Sequence, residues 1–323
     1  MKSAKILKSA NLRIVFLCLL GILAEMGCSD ERAADAVVPV VPQETKLRVR
    51  VATYNVHRLF DPICDSASCG GSSYEPAVSQ EAYQEQIRRI GDSLWTVDAD
   101  IVLLQEIEKE SGIADLRTYL SETIYRGYAF GECGYSASLD VGILTRGEIK
   151  RVEKYRSGYH YVDASGKSRP LSRELLRADI EFEHGIRVTA FTTHLVSKVS
   201  DPDGARRRAE AEYVQQVVSR YIDENPGVFV VFGGDLNDTP GTEVLDRIEK
   251  GGALIRDAQD LPPNETYTWN NSVAFDHLYH NAMLDPYRTK TERVCNVNAS
   301  TGLGSSDHCA LKSTYFIDYS DES

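Results

Sequence analysis

Residues 228–238 read VFVVFGGDLND, an apolar run that ends in two glycines and a group of polar residues. Such a run of β-branched and aromatic residues is typical of a strand that is covered on both faces. Gly233 and Gly234 let the backbone approach a substrate closely and relax the turn that aims Asp235. The stretch therefore predicts a buried strand that delivers polar groups to a functional site.

Similar apolar runs recur along the chain. They predict strands at residues 47–54, 101–104, 139–144, 175–183, 186–193, 228–232, 275–280 and 309–316. Residues 81–95 and 205–222 instead carry apolar side chains at helical spacing, with charges between them. Short strands interspersed with amphipathic helices predict a layered α/β protein that contains hairpins as well as crossovers.

Polar side chains stand at the ends of these predicted strands, where α/β folds assemble their sites. They are Asn55 and His57 in ATYNVH, Glu106 in IVLLQE, Asp140 in DVGIL, His194 in FTTHL, Asp235 and Asn237 in VVFGGDLND, Asp276 in FDHLYH, and Asp307 and His308 in SSDHCAL. Carboxylate and amide oxygens are the ligands that Mg²⁺ or Mn²⁺ prefers. Histidines beside carboxylates transfer protons near neutral pH. This combination predicts metal-assisted attack of water on phosphorus.

The motifs TYNVH, LLQEI, DVGIL, TTHL, GGDLND, FDHLYH and SSDHCAL, in this order, resemble the successive motifs of the endonuclease/exonuclease/phosphatase family, particularly its pancreatic deoxyribonuclease-like members. The resemblance extends from about Arg48 to Phe316. It implies a four-layered α/β (α+β) sandwich, in which two mixed β-sheets pack face to face between outer helices. The implied site lies at one end of that sandwich.

The resemblance also implies a role for each matched residue. The residues expected to hold or orient a Mg²⁺ or Mn²⁺ ion are Asn55, Glu106 and Asp307. The residues expected to position water, polarise the phosphoryl group or transfer protons are His194, Asp235, Asn237, Asp276 and His308. Which histidine is the acid and which is the base stays open at this point, because two neighbouring histidines titrate as a coupled pair.

The segment LSREL at residues 171–175 resembles the arginine loop of the same nucleases, which makes Arg173 the expected phosphate contact. Arg177 is near enough in sequence to do the same work. Two features depart from the family pattern. The role of His57 stays open. The cysteine-containing loop Asp61–Pro76 is expected to shape the substrate groove. Residues 155–170 are read as an exposed hairpin, with contact to nucleic acid as the alternative.

The remaining titratable residues are expected to have structural or surface roles. Asp140 by itself is more typical of a turn residue than of a catalytic one. The expected surface residues are Asp257, Asp260, His160 and His184, and the expected structural residues are His277 and His280.

The net charge of the 323-residue chain is −12, which excludes a broad basic surface of the kind that binds nucleic acid tightly. A phosphate-bearing substrate must therefore be held by a few local cations and a metal ion. The 42% hydrophobic and 26% charged composition is ordinary for a globular protein with a full core.

The N-terminus is typical of an exported protein. Basic residues precede the apolar run Ile14–Leu23, which suits a signal-peptide core but is short for a membrane span. Residues 1–27 are predicted to be the signal peptide and residues 28–46 a flexible tether to a catalytic domain at 47–319. Gly27-Cys28 resembles a lipoprotein processing site, and lipidation of Cys28, with attachment to a bacterial membrane, stays open because Glu25 and Met26 depart from the usual pattern.

Cysteine usage fits an oxidising compartment. Cys64 and Cys69 flank a short loop, CDSASCGG, and are predicted to form a disulfide, with zinc binding as the competing idea. Cys309 lies inside a predicted apolar strand and is expected to be a buried core thiol.

The sequence favours an exported, metal-dependent nuclease that acts on DNA. The first alternative is a phosphatase or a phospholipid phosphodiesterase, sphingomyelinase-like, with the same chemistry. A non-catalytic surface-binding protein that keeps the fold is the second alternative. The shared scaffold does not distinguish the two enzymatic substrates, because one fold hosts many phosphoesters.

Overall fold

The computed structural model describes residues 45–163, 165–296 and 302–319. The predicted signal peptide, Cys28 and residues 28–44 of the predicted tether lie outside the described residues. Within the described part, no helix is both long and apolar enough to cross a membrane.

Fourteen strands and four helices make up the regular structure of the described residues. In chain order they are β1 (Lys46–Leu59), α1 (Gln80–Val97), β2 (Ile101–Ile107), α2 (Glu110–Tyr119), β3 (Gly127–Gly131), β4 (Asp140–Thr145), β5 (Glu148–Lys154), β6 (Tyr161–Val162), β7 (Ser168–Arg169), β8 (Leu176–Glu181), β9 (Arg187–His194), α3 (Ala205–Glu224), β10 (Phe229–Asp235), α4 (Glu243–Ile248), β11 (Ile255–Arg256), β12 (Asp276–His280), β13 (Arg288–Val294) and β14 (Ala310–Asp318). Each strand and helix predicted from the sequence coincides with one of these elements.

Twelve of the strands form two six-stranded sheets. The first sheet has the order β13-β14-β1-β2-β4-β3, and the second has the order β11-β12-β10-β9-β8-β5. Both sheets are mixed, because β1 runs parallel to β2 and β9 runs parallel to β10, whereas the other pairs within each sheet are antiparallel. The mixed sheets expected from the sequence are confirmed.

The two sheets pack face to face around a dry apolar layer. Val51 and Leu103 of the first sheet belong to the same buried cluster as Val231 and Leu278 of the second. Complete burial of one such aliphatic side chain stabilises the fold by about 1.5–3 kcal/mol relative to exposure. This shared layer fixes the relative position of the two sheets, and therefore of any residues at their ends.

The helices cover the outer faces. Ile90 and Leu94 of α1 pack with Tyr54 of the first sheet. Val214 of α3 packs with Phe232 of the second sheet. The four-layered arrangement of helix, sheet, sheet and helix is therefore confirmed.

Helix α1 begins and ends at residues that suit its termini. Its N-cap is Ser79, whose Oγ accepts a hydrogen bond from the backbone N–H of Ala82 at 3.2 Å. It ends at Asp98, which has left-handed backbone angles and whose carboxylate pairs with Arg146. The Ser79 cap is a local consequence of the sequence, whereas the Asp98–Arg146 pair joins residues 48 positions apart.

Two expectations about buried residues are wrong. Cys309 is joined to Cys295 in a disulfide, because antiparallel pairing of β13 with β14 brings the residues that flank these strands within 4.8 Å of each other, measured between Cα atoms. Asp257 is buried and is not a surface residue, since its carboxylate accepts hydrogen bonds from Tyr315 and His280 at 2.6 Å and 2.5 Å. Sequence position alone cannot reveal either contact, because both join different strands.

The other expectations about surface and core agree with the structure. Cys64 and Cys69 form a disulfide. His277 and His280 are buried, while His160 and His184 are exposed. The predicted hairpin at 155–170 contains the small antiparallel pair β6–β7.

Candidate active site

The polar strand ends of both sheets meet at one end of the sandwich. In the second sheet, β12 is antiparallel to β10, so the first residue of β12, Asp276, lies opposite the last residue of β10, Asp235. His194 ends β9 in register with Asp235. In the first sheet, β14 is antiparallel to β1, which brings the segment preceding β14 close to the end of β1. Strand direction therefore concentrates the polar residues at one edge.

A cleft of about 590 Å³ opens over these strand ends. The residues predicted for the site that line it are Glu106, Arg173, His194, Asp235, Asn237, Asp307 and His308. Asn55 and Asp276 are fully buried beneath its floor. All nine predicted residues are thus gathered in one place.

Several of these residues have backbone conformations that are rare for their type. Glu106 has φ 66° and lies in an irregularity between Gln105 and Ile107, where pairing with β4 shifts register. His57 and Asn237 also have positive φ, at 58° and 50°. Non-glycine residues in this region cost free energy and are characteristic of functional sites.

The glycine before Asp235 has a steric reason. Gly234 has φ 156°, and a Cβ atom there would lie 1.9 Å from the carbonyl oxygen of Thr193 in the neighbouring strand. Every other residue type would therefore force β9 and β10 apart. Glycine at this position keeps His194 and Asp235 adjacent.

Asn55 connects residues from the two sheets. Its Nδ2 donates hydrogen bonds to Oε1 of Glu106 and to Oδ2 of Asp235, both at 3.0 Å. Its Oδ1 accepts a hydrogen bond from the backbone N–H of His57 at 2.9 Å. The Asn55 amide therefore orients two carboxylates, while its oxygen is directed at the backbone.

His308 is held by Asp276. Nδ1 of His308 lies 2.7 Å from Oδ2 of Asp276, and Nε2 lies 3.9 Å from oxygens of both Asp235 and Asp307. Burial of the ring acts to lower its pKa, but the carboxylates of Asp276, Asp235 and Asp307 outweigh it and raise the pKa of His308 to about 10. The ring is therefore a cation at neutral pH.

His194 has the opposite electrostatic environment. Burial, followed by the charges of Arg173 and His308, holds the pKa of His194 well below its ordinary value. Its Nε2 lies 3.0 Å from Nδ2 of Asn237 and 3.5 Å from Oδ2 of Asp235. Oδ2 of Asp235 therefore lies near both a neutral imidazole, at 3.5 Å, and a charged one, at 3.9 Å.

The surroundings of Asp235 raise the pKa of its carboxyl group. Burial and the neighbouring Asp276 charge raise the pKa of Asp235 to about 7, against the opposing effect of His308. Oδ1 of Asp235 accepts the backbone N–H of Asn237 at 2.9 Å. A carboxyl group with such a pKa, deep in a cleft, is typical of an active site.

The residues present fit a divalent cation. Ligand atoms of Glu106, His194 and Asp235 lie within 4.8 Å of one another. Among the described residues, Oδ1 of Asp307 is buried and has no hydrogen-bond partner, although Nδ1 of His57 lies 3.7 Å away. Mg²⁺ and Mn²⁺ prefer carboxylate oxygens as ligands. A carboxylate oxygen without a hydrogen-bond partner, next to further carboxylates, suits such an ion.

Arg173 lines the cleft, while the residues before and after it, Ser172 and Glu174, are held by hydrogen bonds to other parts of the protein. Ser172 donates to Glu210 through both its backbone N–H and its hydroxyl, at 2.8 Å and 2.6 Å. Glu174 accepts the backbone N–H groups of Tyr155 and Arg156 at 2.7 Å and 2.6 Å.

The alternatives to these residues are not at the site. Arg177 is engaged by Asp179 through two hydrogen bonds and lies over the ring of Tyr221, so it does not substitute for Arg173. Asp140 is buried and accepts the hydroxyl of Ser138 at 2.6 Å, outside the lining of the cleft.

Sequence reasoning missed several residues that line the cleft: Arg58, Tyr74, Lys198, Trp269 and Phe275. Trp269 donates its indole N–H to Oδ2 of Asp307 at 2.9 Å and stacks on Phe275. The sequence contained one signal for Trp269, because the stretch TYTWN places one of the two tryptophans of the chain shortly before Asp276. Lys198 carries no comparable signal, because a loop brings it in, whereas Tyr74 lies in the loop Asp61–Pro76 that was expected to shape the substrate groove.

Comparison with known proteins agrees with this architecture. Residues 52–308 match the endonuclease/exonuclease/phosphatase family. The chain is 25% identical over 247 residues to a 5′-tyrosyl-DNA phosphodiesterase of Caenorhabditis elegans, a match that covers 72% of this chain and 62% of that protein. The chain thus spans less than two thirds of the length of this curated relative.

Solved structures show the same fold. Truncated Caenorhabditis elegans TDP2 matches with a TM-score of 0.59 and 20% identity, over 85% of this chain and 100% of that one. The human Nocturnin catalytic domain, solved with a bound sulfate anion, matches with a TM-score of 0.59 and 17% identity, over 84% of this chain and 95% of that one. By the match that spans most of its folded part, the chain belongs to the endonuclease/exonuclease/phosphatase family.

Proposed function

We propose that this protein is a divalent-metal-dependent phosphodiesterase that hydrolyses DNA. The observation that carries the proposal is geometric: Nε2 of His308 and Nε2 of His194 lie 3.9 Å and 3.5 Å from the same oxygen of Asp235, Oδ2, and Glu106 belongs to the same cluster. Because the pKa of Asp235, about 7, lies below that of His308, about 10, this pair supplies a proton acceptor and a proton donor at the same pH. Phosphodiester hydrolysis needs both.

Glu106 and Asp307 are the residues that would hold Mg²⁺ or Mn²⁺, and Asn55 orients Glu106 for that task. When bound, the cation stabilises negative charge on the phosphoryl oxygens. Trp269 fixes Oδ2 of Asp307, and Oδ1 has no hydrogen-bond partner among the described residues, which leaves it available to a cation.

Asp235 and Asn237 position the attacking water. The Asp235 carboxylate, held by Asn55 and by the backbone of Asn237, accepts a proton from a water that approaches phosphorus. The Asn237 amide donates to the carbonyl oxygen of Leu195 and lies 3.0 Å from Nε2 of His194, so it holds that imidazole beside Asp235. His308, kept protonated by Asp276, donates a proton to the leaving oxygen as its bond to phosphorus breaks.

Local cations would hold the substrate in an otherwise acidic protein. Arg173, Arg58 and Lys198 all line the cleft. A few clustered cations suffice for the short contact that catalysis needs, without the basic surface of a tight binder. DNA is the proposed substrate because the relatives include a 5′-tyrosyl-DNA phosphodiesterase and a Danio rerio TDP2 complexed with a single-strand DNA product.

Export is part of the proposal. The disulfides Cys64–Cys69 and Cys295–Cys309 are typical of an oxidising compartment. Together with the signal-like residues 1–27, they favour a protein that acts outside the cytoplasm.

The test is hydrolysis of supercoiled plasmid and of a single-stranded oligonucleotide by the purified protein with Mg²⁺, with Mn²⁺ or with chelator. Asp235→Asn and His308→Gln are expected to lower the rate at least a hundredfold. Asp246→Asn and His160→Gln, which change exposed residues of the same types, are the matched controls and should keep the wild-type rate.

Intact DNA would refute the nuclease assignment. If the same preparation then releases phosphate or phosphocholine from another ester in the presence of metal, the chemistry stands and the substrate is wrong. Inertness toward all of these esters would refute the enzymatic proposal.

A further inference from the structure

One aromatic side chain at the cleft comes from a loop outside the motifs that carry the family resemblance. Tyr74 lies in the segment 61–76, lines the cleft and is 54% exposed. The nearby charges that act on its hydroxyl belong to Arg173, Glu106, Arg58 and Asp140. The ring is therefore presented beside the residues that the proposed function assigns to metal and phosphate.

Two neighbours from the end of β1 fix the orientation of this ring. The guanidinium of Arg58 lies 4.9 Å from the ring centroid of Tyr74 and 5.3 Å from that of Phe60. The rings of Tyr74 and Phe60 pack edge to face, with their centroids 6.0 Å apart. Arg58 also donates to the carbonyl oxygen of Tyr74. Its own backbone N–H donates to Oε2 of Glu106 at 3.0 Å, so one residue connects the aromatic ring to a candidate metal ligand.

The loop itself is constrained from within. The disulfide Cys64–Cys69 closes its first half. The buried Glu75 carboxylate accepts the backbone N–H groups of Asp65 and Ser66 at 2.8 Å and 2.7 Å. These contacts hold the residue next to Tyr74 in place, which reduces the conformational freedom that the ring would lose on binding a ligand.

We propose that the disulfide-closed loop forms a base-stacking subsite, in which Tyr74 packs against a nucleobase adjoining the scissile phosphodiester bond of single-stranded nucleic acid; this rests on the proposed function. A flat aromatic face flanked by arginines complements a base attached to an anionic backbone. Base stacking tolerates any sequence, since each base has a π-face. Arg58 and Arg173, which lie near the ring, favour an anionic nucleic acid over a neutral lipid chain.

The experiment compares two substrates of equal length and phosphate number. One is a single-stranded oligothymidylate, and the other carries tetrahydrofuran abasic residues in place of the bases. The measured quantity is the ratio of kcat/KM for the base-bearing strand to kcat/KM for the abasic strand. Tyr74→Ala is expected to lower this ratio about tenfold, mainly through KM, which is a typical loss for one base–aromatic stack.

Tyr74→Phe keeps the ring and should keep the ratio. Tyr135→Ala is the matched control, because Tyr135 is similarly exposed but lies outside the cleft lining. Cys64→Ser combined with Cys69→Ser should lower the ratio in the same direction as Tyr74→Ala, because it releases the loop.

An unchanged ratio in Tyr74→Ala would overturn the proposal. So would an equal fall in kcat on both strands, which would mean that Tyr74 only supports Glu106. Tyr74-dependent binding to phosphatidylcholine vesicles with no preference for base-bearing DNA would overturn it in favour of a lipid surface.

Absence of cleavage by the wild-type protein would count against the proposed function, and the subsite would then be tested by binding alone. Fluorescence anisotropy of the two labelled strands should show tighter binding of the base-bearing one, and that preference should vanish in Tyr74→Ala. Equal affinities in the wild-type protein would overturn the subsite.

Discussion

Nδ1 of His308 lies 2.7 Å from Oδ2 of Asp276, a contact that joins the segment before β14 in one sheet to the first residue of β12 in the other. Because the partners come from different sheets, the distance depends on the packing of the whole sandwich. The contact directs Nε2 into the cleft and keeps the ring charged.

Asp276→Asn tests the electrostatic part of this contact. Loss of the carboxylate should lower the pKa of His308, so the alkaline limb of the rate–pH profile is expected to move to lower pH. At pH 8 we expect kcat to fall by about 10²-fold, within the range of a lost general acid–base contribution. An alkaline limb at the same pH in the variant and the wild type would show that the protonation of His308 does not control the rate.

Glu106→Gln tests the metal site. The amide is a weaker ligand than the carboxylate, so the Mg²⁺ concentration for half-maximal rate should rise at least tenfold, and the thermal shift induced by Mg²⁺ should shrink. Glu110→Gln, at an exposed glutamate four residues later, is the control. Equal metal dependence of the two variants would exclude Glu106 as a ligand.

Trp269→Phe tests the orientation of Asp307. The substitution keeps an aromatic ring against Phe275 but removes the N–H that holds Oδ2 of Asp307. A hydrogen bond to a charged group contributes about 1.5–3 kcal/mol. We therefore expect roughly a tenfold weaker apparent Mg²⁺ affinity in rate measurements. Unchanged metal dependence would mean that the backbone alone positions Asp307.

The Cys295–Cys309 disulfide should stabilise the fold. It closes a loop of about 15 residues, for which the chain-entropy treatment gives a contribution of about 3 kcal/mol. Urea titration of the Cys295→Ala, Cys309→Ala double variant should show a loss of this size. The same comparison under reducing conditions, where the wild type also lacks the bond, should nearly remove the difference.

His280 should make stability depend on pH. It lies between Asp257 and Asp285, at 2.5 Å and 3.0 Å. Burial acts to lower the pKa of His280, but the hydrogen bond and charge of Asp257 raise it above the ordinary 6.5. A raised folded-state pKa means that this contribution is fully present below about pH 6.5 and is lost as pH rises through the folded value.

The measurement is the difference in free energy of unfolding between the wild type and His280→Gln, by urea titration at pH 6 and at pH 9. The difference should be larger at pH 6. Equal differences at the two pH values would show that the ring contributes only by packing.

The sequence by itself determined eight of the strands, the two longest helices and the composition of the site. Apolar runs such as 228–232 are typical of strands covered on both faces, and their polar ends mark where a site can form. Ordered motifs then indicated the family, and with it Glu106, Asp235 and His308. These features depend on local pattern, which a linear sequence contains in full.

Only the tertiary structure decided how these residues meet. The Cys295–Cys309 bond, the burial of Asp257, the indole contact of Trp269 to Asp307 and the delivery of Tyr74 to the cleft all join segments far apart in the chain. The pKa values of His308 and His194 also diverge only after folding, because burial and neighbouring charges, which sequence spacing does not encode, set them.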